Sequence, residues 1–422
     1  MQEALALSHA FWAAIYGTEY FDEAYSVAFY DGDPVVLCQV GECPVIMRLD
    51  GAGANVEWAF KYASHEHQEL CALEKTGDGR LIAVGATTYD TKPGRLWAFA
   101  LDPENGDVGP WEYVYELGDG DYYYTIAYDV AVGPDGSLFL TGALVWAAED
   151  PYWPYYDAFI IRLDSDGHPV WAALWGSPGS YESGRRIATT PEGDVVVLGS
   201  AGSGFLVPSF IMVLDGENGG LKWANIYDDA YLYDVAITPE GYIVAVGRYQ
   251  EGVLIIKVKP DGSQATYTLF TPSEGYAIGR AVAVMSGARF SNLVITGETT
   301  ASGLGGQDLL LMCVRSDCSP SSLLWARAYG GEGDDEGGAV AVHKADDHYS
   351  IAVAGDTSSF NADLTDIFVL KVDEDGEIQD CPHMKEISLE AYSIGLEKTP
   401  ISGLTRVPIT RYATTTEPVE LE

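Results

Sequence analysis

The feature that most constrains this 422-residue chain is an internal repeat. An aromatic residue opening a short strand recurs as Trp12, Trp58, Trp111, Trp171, Trp223, Tyr267 and Trp325, at spacings of 46, 53, 60, 52, 44 and 58. A second short strand follows each, with an alanine at one aligned place: Ala28, Ala72, Ala131, Ala188, Ala236, Ala283 and Ala341. A turn rich in Asp and Gly comes next, then a nearly continuous apolar strand closing on Gly85, Gly142, Gly199, Gly247, Gly297 and Gly355. The first copy has Cys38 in that place. A third strand runs into an acidic turn, as in AFIIRLD and IFVLKVDEDG. Four strands per unit, repeated about every 50 residues, is the pattern of a β-propeller blade.

Geometry orders the strands. Blades are wedges, so the strand with the aligned small residue belongs nearest the axis (A). The Val/Ile-rich strand is B, buried on both faces by neighbouring blades. The acid-terminated strand is C and the Trp strand the wide outer D. The chain then opens with a D strand at 11–16, runs six complete units, and ends with A, B and C alone at 339–376. The expectation is an all-β, seven-bladed propeller of four-stranded antiparallel blades. The N-terminal strand supplies the outer strand of the last blade and closes the ring, which hides strand edges. Residues 1–376 form this propeller, with 25–376 giving the remaining strands, and 377–422 are a C-terminal extension.

Segments such as WARAYGGEGDDEGGAVAV and TPEGYIVAVGRYQEGVLIIKVKPDG resemble the blades of secreted bacterial and archaeal repeat propellers. The resemblance covers about 11–376 and implies the fold and an extracellular setting. It implies no catalytic residue, because the repeated positions are structural. The D strand of the fifth complete unit, YTLFTPSEG, departs most from the pattern.

Charge narrows the partners. With 63 Asp+Glu against 23 Lys+Arg the net charge is −40, which argues against nucleic acid or an anionic membrane. Apolar runs are too short for a membrane-spanning helix. No basic n-region opens the chain, so a cytoplasmic setting is the alternative to the cell surface. Only 13 Asn and Gln in total suit a hot habitat and a thermostable protein.

No catalytic motif is found, and no cofactor is expected. Asp129, Asp234 and Arg186, beside the aligned alanines, read as hydrogen-bonding groups of the inner strands. Asp334, Asp335 and Glu336 in GGEGDDEGG are three oxygen-bearing candidates for a hard cation such as Ca²⁺. His65 and His67 alternate along an extended stretch that either lies in solvent or grips Zn²⁺. Tyr122, Tyr123 and Tyr124 in one loop, and Trp146, Tyr152, Trp153, Tyr155 and Tyr156 in another, should meet on one face. There they bind a sugar or a protein, or fold onto the rim. Cys38 with Cys43, and Cys313 with Cys318, are candidate disulfides.

The 46-residue extension holds strand-like stretches, ISLEAYSIG and LTRVPITRYATTT, but no further blade. Either it drapes over its own propeller or it adds strands to a neighbouring copy. The expected function is a non-enzymatic extracellular propeller, structural or adhesive, self-assembling through this extension. The alternatives are a carbohydrate- or protein-binding module on the aromatic face, and a propeller glycoside hydrolase or lyase.

Overall fold

The computed structural model describes residues 2–8, 11–62, 68–89, 92–118, 122–146, 155–177, 180–202, 207–287, 291–346, 348–362, 364–379, 381–401, 403–414 and 419–420. Among them there is no helix, and every sheet is built from antiparallel meanders. Five sheets have five strands each and one has ten. The ten-stranded sheet holds two meanders joined by one parallel contact, Tyr156 with Tyr181. In each meander the strand order follows the A, B, C, D order read from the repeat. This is a β-propeller architecture.

The inner strands are Asp22–Tyr30, Glu69–Lys75, Tyr122–Val132, Tyr181–Thr189, Tyr231–Ile237, Ala277–Ser286 and Asp335–Ala345. Each packs against the next, and the last against the first. Phe11–Tyr16 pairs with Asp366–Asp373, Trp12 facing Lys371 and Tyr16 facing Ile367. Apolar B and C strands fill the seams between meanders. Ile160, Val197, Phe210 and Met212, for example, are fully buried in one such seam. Burying each side chain of this size contributes roughly 1.5–3 kcal/mol.

The Trp-x-x-x-Tyr spacing of the outer strands has a structural cause. Each indole N–H donates to a carbonyl in the C–D turn of the following meander. Trp12 reaches Gly51 O at 3.2 Å, Trp58 Pro103 O at 3.2 Å, Trp111 Ser165 O at 3.2 Å and Trp171 Gly216 O at 3.0 Å. Trp223 reaches Pro260 O at 2.6 Å and Trp325 Glu374 O at 3.2 Å. The tyrosine four residues on lies two pleats along the same face. Its hydroxyl donates to the same turn: Tyr16 to Ala54 O (2.6 Å), Tyr62 to Gly106 O (2.6 Å), Tyr115 to Gly167 O (2.9 Å), and Tyr329 to Gly376 O. In the divergent unit with Tyr267, Thr268 Oγ1 takes over by donating to Cys318 O at 2.5 Å.

The extension wraps the perimeter of its own chain. Met384–Glu386, Leu389–Ser393, Lys398–Pro400, Thr405–Val407, Ile409–Ala413 and Val419–Glu420 pair in turn with six successive outer strands, running backwards around the molecule. Gln2–Ser8 pairs in the same way with Phe11–Tyr16. Apolar residues of the extension rest on successive seams: Leu389, Leu396, Leu404 and Ile409 each pack on a different core cluster. This is the draping arrangement, within one chain.

Two sequence expectations need correction. All six cysteines are free. Cys38 faces Val45 and Cys43 faces Val40, so the two are diagonal rather than opposite, at the roughly 7–8 Å typical of such neighbours. That is too far for a bridge. Cys313 and Cys318 lie in different seams, and burial pushes both thiols up to about 12. The second correction concerns Ala72, which is not the counterpart of the other aligned alanines. The register of the inner strands puts Glu74 in that row.

Candidate functional site

Every inner strand carries a β-bulge at the same place. The pairing skips one residue between Ala24 and Ser26, Leu70 and Ala72, Ala127 and Asp129, and Gly184 and Arg186. It skips again between Leu232 and Asp234, Gly279 and Ala281, and Gly337 and Ala339. The extra residues are Tyr25, Cys71, Tyr128, Arg185, Tyr233, Arg280 and Gly338. A bulge re-aims the side chain it inserts, and here all seven line one cavity of about 570 Å³ at the mouth of the axis. Counting three residues past each bulge reaches Ala28, Ala131, Ala188, Ala236, Ala283 and Ala341, and in the second inner strand Glu74.

The bulge explains the glycine that recurs in six B strands, which continue two to four residues beyond it. A Cβ on Gly142 would stand 1.9 Å from Ile126 O, and one on Gly355 1.9 Å from Glu336 O. In these six units the carbonyl two residues before the bulge swings over the partner strand and leaves no room for a Cβ beneath it. In the first unit the place is taken by Cys38, wholly buried in the seam.

The mouth is polar and rich in paired groups. Arg280 holds Glu298 (2.5 Å) and Glu336 (3.1 Å) and lies 5.6 Å over the Tyr233 ring. Tyr25 donates to Glu23 at 3.0 Å, and Tyr124 to Glu69 at 3.0 Å. Asp356 accepts Ala24 N–H at 2.8 Å, and burial pushes its carboxyl up to about 7. A second cavity of about 350 Å³ adjoins the mouth and is lined by the inner strands. There Asp129 accepts Ile187 N–H (2.8 Å) and Asp234 accepts Val282 N–H (2.7 Å), each tying one inner strand to the next. Arg186 Nε lies 3.6 Å from Asp234. These are the inner-strand hydrogen bonds expected of Asp129 and Asp234. Burial raises Asp129 to about 7. Glu74, open to the channel but walled in by protein, is raised as well.

The aromatic residues singled out from the sequence divide. Tyr122 faces Trp146 across paired strands, and Tyr124 and Tyr156 both face Val145, so the two loops do meet. Most of these side chains face inward. Tyr122 is buried, its hydroxyl accepts Leu117 N–H at 3.1 Å, and Arg95 lies 4.5 Å over its ring. Trp146 Nε1 donates to Asp157 at 2.8 Å, and Tyr156 packs on Tyr181 with centroids 5.6 Å apart. Tyr123 and Tyr155 are the exposed pair, at 64% and 41%. Tyr152, Trp153, His65 and His67 lie outside the described residues.

The three acids of GGEGDDEGG do not converge. Asp334 accepts Gln307 N–H at 2.9 Å. Asp335 is buried and accepts from Gly331 N–H (2.9 Å) and Ser359 Oγ (2.8 Å). Glu336 turns to Arg280 in the mouth. Among the described residues no group of three His, Cys, Asp or Glu is placed to hold a metal ion, and no helix is long and apolar enough to cross a membrane.

Sequence reading missed the mouth because its seven bulge residues, three Tyr, two Arg, one Cys and one Gly, share a register rather than one residue type. A bulge is invisible to a search for identical letters, and the one outward sign was the recurring glycine.

No protein-family model and no curated protein matches the sequence. Among solved structures, the chain is similar to the polysaccharide lyase Uly1, at 9% identity and a TM-score of 0.46, covering 82% of this chain and 89% of that one. It is similar to the Dos1 propeller at 10% identity and a TM-score of 0.46, over 87% and 95%. It is similar too to the Hadza microbial sialidase Hz136, at 11% identity and a TM-score of 0.44, over 81% and 73%. At these values the likenesses carry no argument about activity or ligand.

Proposed function

We propose that this chain is a closed, seven-bladed propeller that binds a saccharide at its axial mouth, acting as a non-enzymatic adhesive component at the cell surface. Seven blades and closure are supported by the cycle of contacts between inner strands and by the pairing of Phe11–Tyr16 with Asp366–Asp373. Latches across the same join support it further: Trp12 and Tyr16 reach Gly51 and Ala54, and Lys371 Nζ reaches Gly51 O at 2.7 Å.

The observation that carries the binding reading is the convergence of the bulge residues on one cavity. A volume of about 570 Å³ falls in the roughly 300–1,000 Å³ range of small-ligand sites. Tyr25, Tyr128 and Tyr233 offer ring faces on which the C–H face of a sugar can lie. Fixed guanidinium donors and carboxylate acceptors answer a ligand that carries both roles on every hydroxyl. A glycan array probed with the intact protein tests this reading. Binding that falls at least tenfold in Tyr128→Ala, with an unchanged melting temperature, is the expected result; silence across the array contradicts it.

A second reading, a hydrolase or lyase at the same mouth, is favoured by the raised carboxyl of Asp356, which lies in the range suited to general acid catalysis. Release of reducing or unsaturated ends from bound polysaccharide would support it, and binding without turnover would leave the adhesive role.

A further inference from the structure

We infer that the saccharide taken at the mouth carries a carboxylate, and that Arg185 is its anchor. This rests on the reading of the mouth as a saccharide site and specifies its ligand class.

Three arginines reach the mouth, and their surroundings differ. Arg280 is held by Glu298 and Glu336. Arg186 lies beside Asp234 and gives Nη1 to Arg185 O at 2.9 Å. Arg185 is exposed, and its polar contact is Nε to Ser200 Oγ at 3.3 Å. Among the described residues no carboxylate lies within ion-pair distance of it, in a chain with 63 acids to 23 bases. The bulge between Gly184 and Arg186 turns it into the cavity rather than along the strand.

The neighbouring acids are already engaged. Glu23 and Glu69 accept from tyrosine hydroxyls, Glu336 from Arg280, and Asp356 from Ala24 N–H. The terminal nitrogens of Arg185 thus face a cavity whose carboxylates each meet a donor other than Arg185. A guanidinium edge meets a planar carboxylate through two parallel N–H···O bonds, stronger than neutral ones. Tyr128, adjacent in the ring of bulges and close enough for its hydroxyl to feel the Arg185 charge, supplies the ring face beside that anchor.

The test is calorimetric titration of the full chain with glucuronate- and galacturonate-terminated trisaccharides against their glucose- and galactose-terminated counterparts. The acidic sugars should bind at least tenfold more tightly. Arg185→Gln should erase that preference, and Arg185→Lys should restore part of it. Equal binding of acidic and neutral sugars, or a preference unchanged in Arg185→Gln, overturns the anchor while leaving saccharide binding intact. If neither class binds the folded protein, both readings fall. Arg185 is exposed, so the variants should keep the wild-type melting temperature, and that measurement accompanies each titration.

Discussion

Asp129 and Asp356 show how the axis sets its own titration. Each accepts a backbone N–H from the neighbouring inner strand, and burial pushes each carboxyl up to about 7. An unfolded aspartate titrates near ~3.9, so between about pH 4 and 7 the folded chain holds protons that the unfolded chain has lost. Stability is then full below about pH 4 as far as these groups are concerned, falls as pH rises towards 7, and levels off above. The melting temperature should drop between pH 5 and pH 8, and Asp356→Asn, which keeps an acceptor for Ala24 N–H, should flatten that slope. An equally steep slope in the variant would contradict the assignment. Two tyrosines at equivalent places give a second comparison. Tyr62 donates to Gly106 O, whereas the buried Tyr227 hydroxyl has no partner among the described residues. Tyr62→Phe should cost about 1 kcal/mol, and Tyr227→Phe should be neutral or stabilising. Denaturant midpoints of the two variants decide it, and equal losses would refute the latch.

At the scale of strands, the repeat was legible because its chemistry is periodic. The Trp-x-x-x-Tyr latch, the apolar B-strand run and the glycine that follows it each repeat as letters, and Phe11–Tyr16 matches the strand read from the sequence. The bulges were not legible. Tyr25, Cys71, Arg185 and Gly338 have nothing in common as letters, and aligning by alanine slipped the second inner strand by two, hiding Glu74 behind Ala72. The extension was legible only as strand-like stretches, since pieces of two to five residues hold too little pattern to say which edge they join. Its wrapping sharpens the experiment. Outer strands stripped of it expose six edges, and open edges pair with other chains. Deleting 383–422 should therefore lower the melting temperature and shift the protein to larger species as concentration rises, read by calorimetry and light scattering. If the extension is instead exchanged between copies, the intact protein is the larger species and deletion dissolves it. Unchanged melting and mass would contradict both.

Across the whole molecule, charge and function occupy different places. Acidic turns coat the surface of a chain of net charge −40. Three arginines and three tyrosines are gathered instead at the axial mouth, each delivered by a bulge or the residue beside one. The exposed Tyr123 and Tyr155 lie on strands and loops of a single meander, so they offer a competing platform to one side of the axis. The most direct measurement is therefore the position of a bound sugar: a crystal of the full chain soaked with a uronate-terminated trisaccharide. Density is expected in the mouth, stacked against Tyr128 with its carboxylate on Arg185. Density over Tyr123 and Tyr155 with the mouth empty would contradict it.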